Sequence, residues 1–578
     1  LPNPLDWKLR AAARRGSKRV LLGWNRGLGD IPLGLYAIVH RIRQFIPNAE
    51  IAFATRPNLI DGFSMLEGVQ TIPMPHWERG KPYRLEPSLC KQYDLVIGRP
   101  SPTDWCRWQR GSLCPKLRWN PEHDLLYRRF DLPDDFTYIG VQVVAETQYG
   151  LWRNWPEQCW RALFDRLAEM GGVRVLLFGY GAEPHFPYPH LIDLRGKTTL
   201  PELLSIIQNK CHGLVLPDSG IAAMTYYLEQ TFSLRMVTLW ADPNHGILKQ
   251  ATPSPNPDLQ HIPLIAPGRD LGAISAEQVC EALFPKRART GWSRCVAWDP
   301  DASGTPENAA LVILAGGQGT RLGYDGPKGT FHVLGKSLFQ WIVQKAPPSM
   351  PIAVMTSPLN HQETVQFFAE KHNFGRDIWC FEQTVLPLLD AQYRPVFAGP
   401  DGNGCVFQRL VATGWVERMR QQGVDTVVFL PVDNPLADPA DGAWIGRHRR
   451  QNSDLTVKCI RRAPREAGLG LLVEEEGRLA VVEYVDLTRA EIDSPAFAYA
   501  YIGQFAASLS FIERAAQVDL PLHWIRKQGL WKRERFVFDA FVAATRAEAI
   551  CYPREICYAP LKSREQLAAV EQALRGIR

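Results

Sequence analysis

Residues Leu314 to Gly329 read LAGGQGTRLGYDGPKG, and they carry more chemistry than any other stretch of the chain. An apolar run, Leu311–Ala315, leads directly into glycines at 316, 317, 319, 323, 326 and 329, with Arg321 and Lys328 among them. Glycines let backbone N–H groups approach an anion, and an open α/β sheet binds its ligand at the C-terminal ends of its strands. An arginine supplies a planar fork and a lysine a compact charge, the cations a triphosphate needs. The spacing is neither a Walker A loop nor a GxGxxG opening a helix, which excludes those two nucleotide-binding modes.

The elements that must position this loop follow an alternating rhythm. Val20–Trp24 (VLLGW) reads as a buried strand, then a loop NRGLGD and a helix; Ile51–Thr55 and Asp94–Gly98 are further strands. This pattern argues a parallel sheet covered by helices. A second unit opens with Tyr138–Val144 and a helix from about Pro156, where Trp160, Leu163, Phe164, Leu167 and Met170 share one face. Gly171 and Gly172 end that helix and Val173–Gly179 is the next strand. Thr199 and Glu202 have capping-box spacing before LLSIIQ. Two doubly wound units, 1–135 and 136–285, are expected. Residues 286–309 lose all periodicity and read as a linker, and an α/β pattern restarts at Leu311 and runs to a helix at about 563–577.

The chain of 578 residues allows about three or four domains. With 46% hydrophobic and 22% charged residues it is a folded globular protein, and its charge of +6 does not separate small anionic substrates from nucleic acid. The 18 tryptophans read chiefly as packing. Twelve cysteines without a CxxC pair exclude a disulfide scaffold and a zinc ribbon, and suit reduced thiols in the cytoplasm. The sequence has no apolar run of membrane-spanning length. The basic start, LPNPLDWKLRAAARRGSKR, has no apolar core, so it reads as a surface helix and not as a secretory signal. Nucleic-acid partners are not expected, because no stacking-aromatic RNA-binding motif is present.

Residues 310–562 resemble the UDP-N-acetylglucosamine pyrophosphorylase branch of the UDP-sugar pyrophosphorylases. Seven motifs occur in family order: the glycine loop, MTSPLNHQETVQFF (355–368), FEQTVLP (381–387), GPDGNG (399–404), PVDNPL (431–436), VVEYVDL (481–487) and RFVFDAF (535–541) with APLK (559–562). The resemblance implies a GT-A-like, Rossmann-type nucleotidyltransferase over 310–578. Its substrates would be UTP and a sugar 1-phosphate, its products a UDP-sugar and pyrophosphate, and its cofactor Mg²⁺. Carried over by motif, Gly316 and Gly317 hold the nucleotide, Arg321, Lys328 and Lys532 the phosphates, and Gln383 and Gly402 the uracil. Asn403 and Glu483 face the sugar, and Asp433 places the metal. Gln504, in YIGQF, stands where the family has an asparagine on the sugar. The match lacks the family's helical N-terminal extension and much of its C-terminal domain.

Residues 18–270 resemble glycosyltransferase family 9, on VLLGWNRGLGDIPLGL, PNAEIAF, WRNWPEQCWRALFDRL, RGKTTLPELLSIIQ, LVLPDSG and VTLWADP. This implies a two-lobed GT-B-like pair of Rossmann-type domains. Asp30 would be the general base, with Arg153, Lys197, Ser219 and Gly220 near the donor phosphates; Asp218 reads equally as an Asx turn or a ligand. Ala223 stands where the family has a histidine, which questions the donor or the activity. Two readings stay open: a bifunctional enzyme, or a uridylyltransferase whose N-terminal half is a degenerate binding or regulatory module. The glycan or other acceptor is not given by the sequence.

Overall fold

Strands β1 (Arg19–Trp24), β2 (Glu50–Thr55), β3 (Val69–Pro73) and β4 (Leu95–Ile97) form a parallel sheet in the order β3-β2-β1-β4. The computed structural model describes residues 3–145, 151–463, 466 and 468–576. The last five residues of β1 are buried, as an apolar run covered on both faces should be. The basic start forms the helix Pro4–Arg14, which buries Leu5, Leu9 and Ala12.

A second parallel sheet follows: β5 (Thr137–Gln142), β6 (Val173–Phe178), β7 (Leu191–Asp193), β8 (Cys211–Pro217), β9 (Leu234–Trp240) and β10 (Leu259–Ile265). Its order is β10-β9-β8-β5-β6-β7, so the strand sequence reverses between β5 and β8. Its helix Glu157–Glu169 buries Trp160, Leu163, Phe164 and Leu167 as the spacing requires. Met170 is different: it lies beyond the helix end and is 42% exposed. The Thr199 capping box forms reciprocally, with Glu202 N–H on Thr199 Oγ1 and Thr199 N–H on the Glu202 carboxylate. Both sheets belong to one compact unit, Leu1–Lys286.

The second unit is Arg287–Arg578. The segment read as a linker carries two short strands, β11 (Arg289–Gly291) and β12 (Cys295–Ala297), recruited by backbone pairing with partners far along the chain. Then come β13 (Ala309–Leu314), the β14–β15 hairpin (His332–Val333, Lys336–Ser337), β16 (Ile352–Thr356), β17 (Ile378–Glu382), β18 (Val385–Leu389) and β19 (Pro395–Pro400). After them lie β20 (Thr426–Pro431), β21 (Leu455–Arg461), β22 (Leu471–Glu475), β23 (Arg478–Val482), β24 (Tyr499–Ser508), β25 (His523–Lys527), β26 (Leu530–Glu534) and β27 (Ala547–Tyr552). The main sheet runs β12-β27-β21-β24-β20-β13-β16-β17, with β24 antiparallel to both neighbours. A small sheet, β19-β18-β26-β25, stands apart from it.

β13 is central and buried on both faces. Leu311 and Ile313 pack into one core, Ala310 and Val312 into the other. Around it the order β17-β16-β13-β20 is parallel and reverses between β13 and β20. That reversal opens a crevice at the strands' C-terminal ends, the place where such sheets take ligand. The last helix, Leu567–Gly576, begins later than expected, and residue 577 lies outside the described residues.

Candidate functional sites

The crevice of the second unit is filled from one side by residues 315–331. This loop is closed on itself: Gly319 N–H donates to the Gly326 carbonyl at 3.0 Å and Lys328 N–H to the Gly317 carbonyl at 3.1 Å. Asn360, buried behind it, donates from Nδ2 to the carbonyls of Ala315 and Gly317 at 3.0 and 3.1 Å. Three carbonyls are thus satisfied within the protein. Above Gly317, space is open where a side chain would project. Gly316 is the opposite case. A Cβ there would lie 2.4 Å from Gln383 Nε2, so the Gln383 carboxamide packs directly on the loop.

Across the switch point, Lys328 Nζ lies 3.2 Å from Asp433 Oδ2. The two side chains come from the loop after β13 and the turn after β20, the strands between which the order reverses. Arg321, on the turn Thr320–Leu322, is exposed.

Gly402 has φ +89°, and a Cβ on it would sit 2.4 Å from the Arg535 carbonyl. Only glycine takes this position without strain. The loop is pinned there by Arg535 N–H on the Asp401 carbonyl at 2.7 Å and Val537 N–H on Asn403 Oδ1 at 2.9 Å. Asp401 is buried; its carboxylate accepts from Thr384 Oγ1 at 2.6 Å and Arg535 Nη1 at 3.1 Å. Lys532, on the small sheet, is ion-paired with Glu534.

Glu483 is half-buried, and burial, with the charge of Asp486, raises its pKa against the pull of His523 and Lys562. His523 bonds Asp539 at 2.8 Å. Burial works against its imidazolium, but that bond and the charges of Asp539, Asp486 and Glu483 outweigh it and raise its pKa. Gln504 is withdrawn from the surface, and its Oε1 has no protein partner. It is wholly buried, and its Nε2 donates to the Cys557 carbonyl at 3.0 Å. The strand β24 points this residue into the sheet core, which a comparison of short motifs does not reveal. Asn434 Nδ2 donates to the same carbonyl at 2.7 Å, and Leu561 N–H to the Asp433 carbonyl at 2.8 Å, so the APLK segment braces the VDN turn. Asn360, Asp401, Asn434, His523 and Asp539 are additions to the sequence-derived set, and four of them lie inside the quoted motifs.

Residues 298–564 match the UDPGP family model, described as UTP--glucose-1-phosphate uridylyltransferase. Within that region the similar proteins include "Probable UDP-N-acetylglucosamine pyrophosphorylase" of Schizosaccharomyces pombe, 28% identical over 315 residues, covering 44% of this chain and 66% of the relative. UDP-N-acetylglucosamine diphosphorylase 2 of Arabidopsis thaliana is 28% identical over 305 residues, covering 44% of this chain and 61% of the relative. The chain thus spans less than two thirds of these relatives' lengths. A solved structure of the uridine diphosphate N-acetylglucosamine pyrophosphorylase from Trypanosoma brucei with inhibitor shows 25% identity, a TM-score of 0.41, and coverage of 47% of this chain and 68% of its own. The UDPGP match contains all the crevice residues described above.

The first unit holds a separate cavity of about 920 Å³, outside the UDPGP region. It is lined by the loops after β1 and β4 of one sheet and after β5 and β8 of the other, at the reversal point of each strand order. Asp30 lines it and accepts from Gly27 N–H at 3.2 Å. Burial pushes its pKa up to about 6, against that bond and the charges of Arg26, Arg79 and Arg153. Arg153 lines the cavity too, with Nη1 3.3 Å from the buried carboxylate of Asp218 and Nη2 3.5 Å from His245 Nδ1. Ser219 caps the helix Gly220–Tyr226 and donates to Gln142 Oε1 at 2.7 Å; both it and Gly220 reach the cavity. Lys197 does not line it. That side chain is exposed and donates to the Asp193 carbonyl at 2.7 Å, while Arg195, held by Asp193, lines the wall instead. Ala223 is buried in the helix.

Proposed function

We propose that residues 310–578 transfer a uridylyl group from UTP to a sugar 1-phosphate, N-acetylglucosamine 1-phosphate first among them, releasing pyrophosphate. The observation that carries this is the Lys328–Asp433 pair at the β13/β20 switch point beneath the glycine loop, within the region matching UDPGP. An oxygen of the sugar phosphate attacks the α-phosphorus of UTP, the bond to the bridging oxygen breaks, and pyrophosphate leaves. Such a reaction asks for positioning and charge neutralisation, with no protein nucleophile. Gly316 and Gly317 bring backbone to the nucleotide, Gln383 and the Gly402 loop read uracil, and Arg321, Lys328 and Lys532 offset phosphate charge. Asn403 and Glu483 take the sugar hydroxyls.

Among the described residues no three His, Cys, Asp or Glu side chains form a metal cage. Mg²⁺ binds through one or two carboxylates when phosphates supply further ligands, so the single carboxylate of Asp433 fits it. Bound there, the ion would neutralise developing phosphate charge. The reaction belongs to the cytoplasm, where the twelve unpaired thiols stay reduced. Among the described residues no helix is long and apolar enough to cross a membrane.

The test is pyrophosphate release from UTP and Mg²⁺ with N-acetylglucosamine, N-acetylgalactosamine and glucose 1-phosphates, with Arg321→Ala as control. Release that survives Arg321→Ala, or none with any sugar, overturns the assignment.

A second reading covers residues 1–285: a GT-B-like glycosyltransferase with Asp30 as base. The placement of Asp30 in the cavity opposite Arg153 and Asp218, with a pKa near a base's working range, favours it over a binding module. Transfer from a UDP-sugar to an acceptor or water that Asp30→Asn abolishes supports it. Ligand binding without turnover in the wild type leaves the module.

A further inference from the structure

Three thiols meet on one face of the main sheet in the second unit. β27 lies between β12 and β21 and runs parallel to both. Cys459 and Cys551 are direct register partners, and Cys295 pairs with Ala549, two residues before Cys551. Side chains alternate along a strand, so all three share a face. The Sγ atoms of Cys295 and Cys459 lie 3.4 Å apart, and Cys551 stands beside Cys459 in direct register on the same face. Cys459 is buried; Cys295 and Cys551 are partly exposed.

The surroundings distinguish Cys551. Hydrogen bonds from Cys295 and Cys459, joined by the charge and backbone N–H of Arg461, hold its thiol well below the ordinary range against the effect of burial. Cys459 is driven the other way by the same two thiols and by burial. A partly exposed thiol in register with a second, which itself touches a third, has the makings of an oxidation site: an accessible sulfur with resolving partners on the same face.

We propose that Cys551 is an oxidisable nucleophile for hydroperoxides, with Cys295 and Cys459 as its resolving thiols. The Cys551 sulfur attacks one peroxide oxygen, the O–O bond breaks, and the departing hydroxide takes a proton to become water. The resulting sulfenic acid is attacked by a flanking thiol; an S–S bond forms, the S–O bond breaks, and the hydroxyl leaves as water with that thiol's proton. Two thiols lose two electrons and hydrogen peroxide becomes two waters.

The modification reaches the crevice through the chain itself. Six residues beyond Cys551 is Cys557, whose carbonyl receives both Asn434 and Gln504, and Leu561 N–H holds the Asp433 carbonyl. Tying the end of β27 to its neighbour therefore restrains the segment that braces the VDN turn.

The proposal is tested on the full chain without reference to catalysis. Reduced protein is pulsed with iodoacetamide at pH 7, and the alkylation rate of each cysteine is read by peptide mass spectrometry. Cys551 is expected to react at least about tenfold faster than Cys380, a partly exposed thiol whose pKa burial raises to about 11. Hydrogen peroxide is then expected to join Cys551 to Cys295 or Cys459, reversibly with dithiothreitol. Cys551→Ser should slow the loss of thiols at 295 and 459, whereas Cys380→Ser should leave it unchanged. Alkylation of Cys551 no faster than Cys380 overturns the proposal in the wild-type chain alone. So does peroxide loss at 295 and 459 that is equal in wild type and Cys551→Ser.

Discussion

Placing a methyl group on Gly316 tests the uracil-reading arrangement directly. The added Cβ would stand 2.4 Å from Gln383 Nε2 and 2.7 Å from Cδ and Oε1, where ordinary contact begins at 3.4 Å. The carboxamide must retreat by about 1 Å, a displacement large enough to cost on the order of a hundredfold in a positioned reaction. Hydrogen bonds left unmade at the base cost about 1–3 kcal/mol, or about 5- to 150-fold in kcat/KM for UTP. Gly316 does not have positive φ, so alanine strains no backbone and the fold should keep its stability within about 1 kcal/mol. The assay is steady-state pyrophosphate release with UTP and CTP for wild type, Gly316→Ala, Gln383→Ala and the double variant. Each single change should lower UTP-over-CTP selectivity, and the double variant should resemble Gln383→Ala alone, with a coupling of about 1–3 kcal/mol. Effects that add within about 0.5 kcal/mol would refute the reasoning, because the methyl would then be acting through something other than Gln383.

Lys328→Met should lower kcat by about 10²- to 10³-fold while the free energy of urea unfolding changes by no more than about 1–2 kcal/mol, since the Asp433 pair is only partly buried. The raised pKa of His523 makes its pairing with Asp539 most stabilising below the unfolded value of 6.5, and that contribution is lost as pH rises through the higher folded value. His523→Gln should accordingly flatten the fall in thermal stability over that window; an unchanged profile contradicts it. Asp30 acts with the same sign in a lower window: with its pKa raised from 3.8 to about 6, its charge weighs against the fold increasingly as pH rises between those values. Asp30→Asn should remove that slope in thermal melts of the full chain, and any transfer activity of the wild type should rise with pH around a midpoint near 6.

The buried strands were legible because β1, β5, β6 and β13 are apolar runs bounded by glycine or polar turns, and that pattern has few alternatives. The Thr199 capping box was legible for the same reason, being a local hydrogen-bond exchange. The glycine loop announced an anion site, yet its contacts with Gln383 and Asp433 span gaps of 67 and 105 residues and depend on the order of strands in the sheet. Short strands such as β11 and β12 escaped reading because three residues of no periodicity become a strand only when a distant edge recruits them. Gln504 and Lys197 show the same limit at the level of single side chains. Each has the right chemistry for a ligand, but strand parity buries one and a nearby carbonyl captures the other.

In the first unit, Gly29 and Gly220 meet where the two lobes touch. A Cβ on Gly29 would come within 3.2 Å of Gly220 Cα, and one on Gly220 within 3.1 Å of Gly29 N and 3.0 Å of Leu28 Cβ. Main chain rests on main chain there, so at this point the loop after β1 and the helix after β8 are separated by the thickness of two peptide backbones. A side chain at either position acts as a shim. It would press the two backbones apart and, because Gly29 and Gly220 both line the cavity, would alter the wall of that cavity directly.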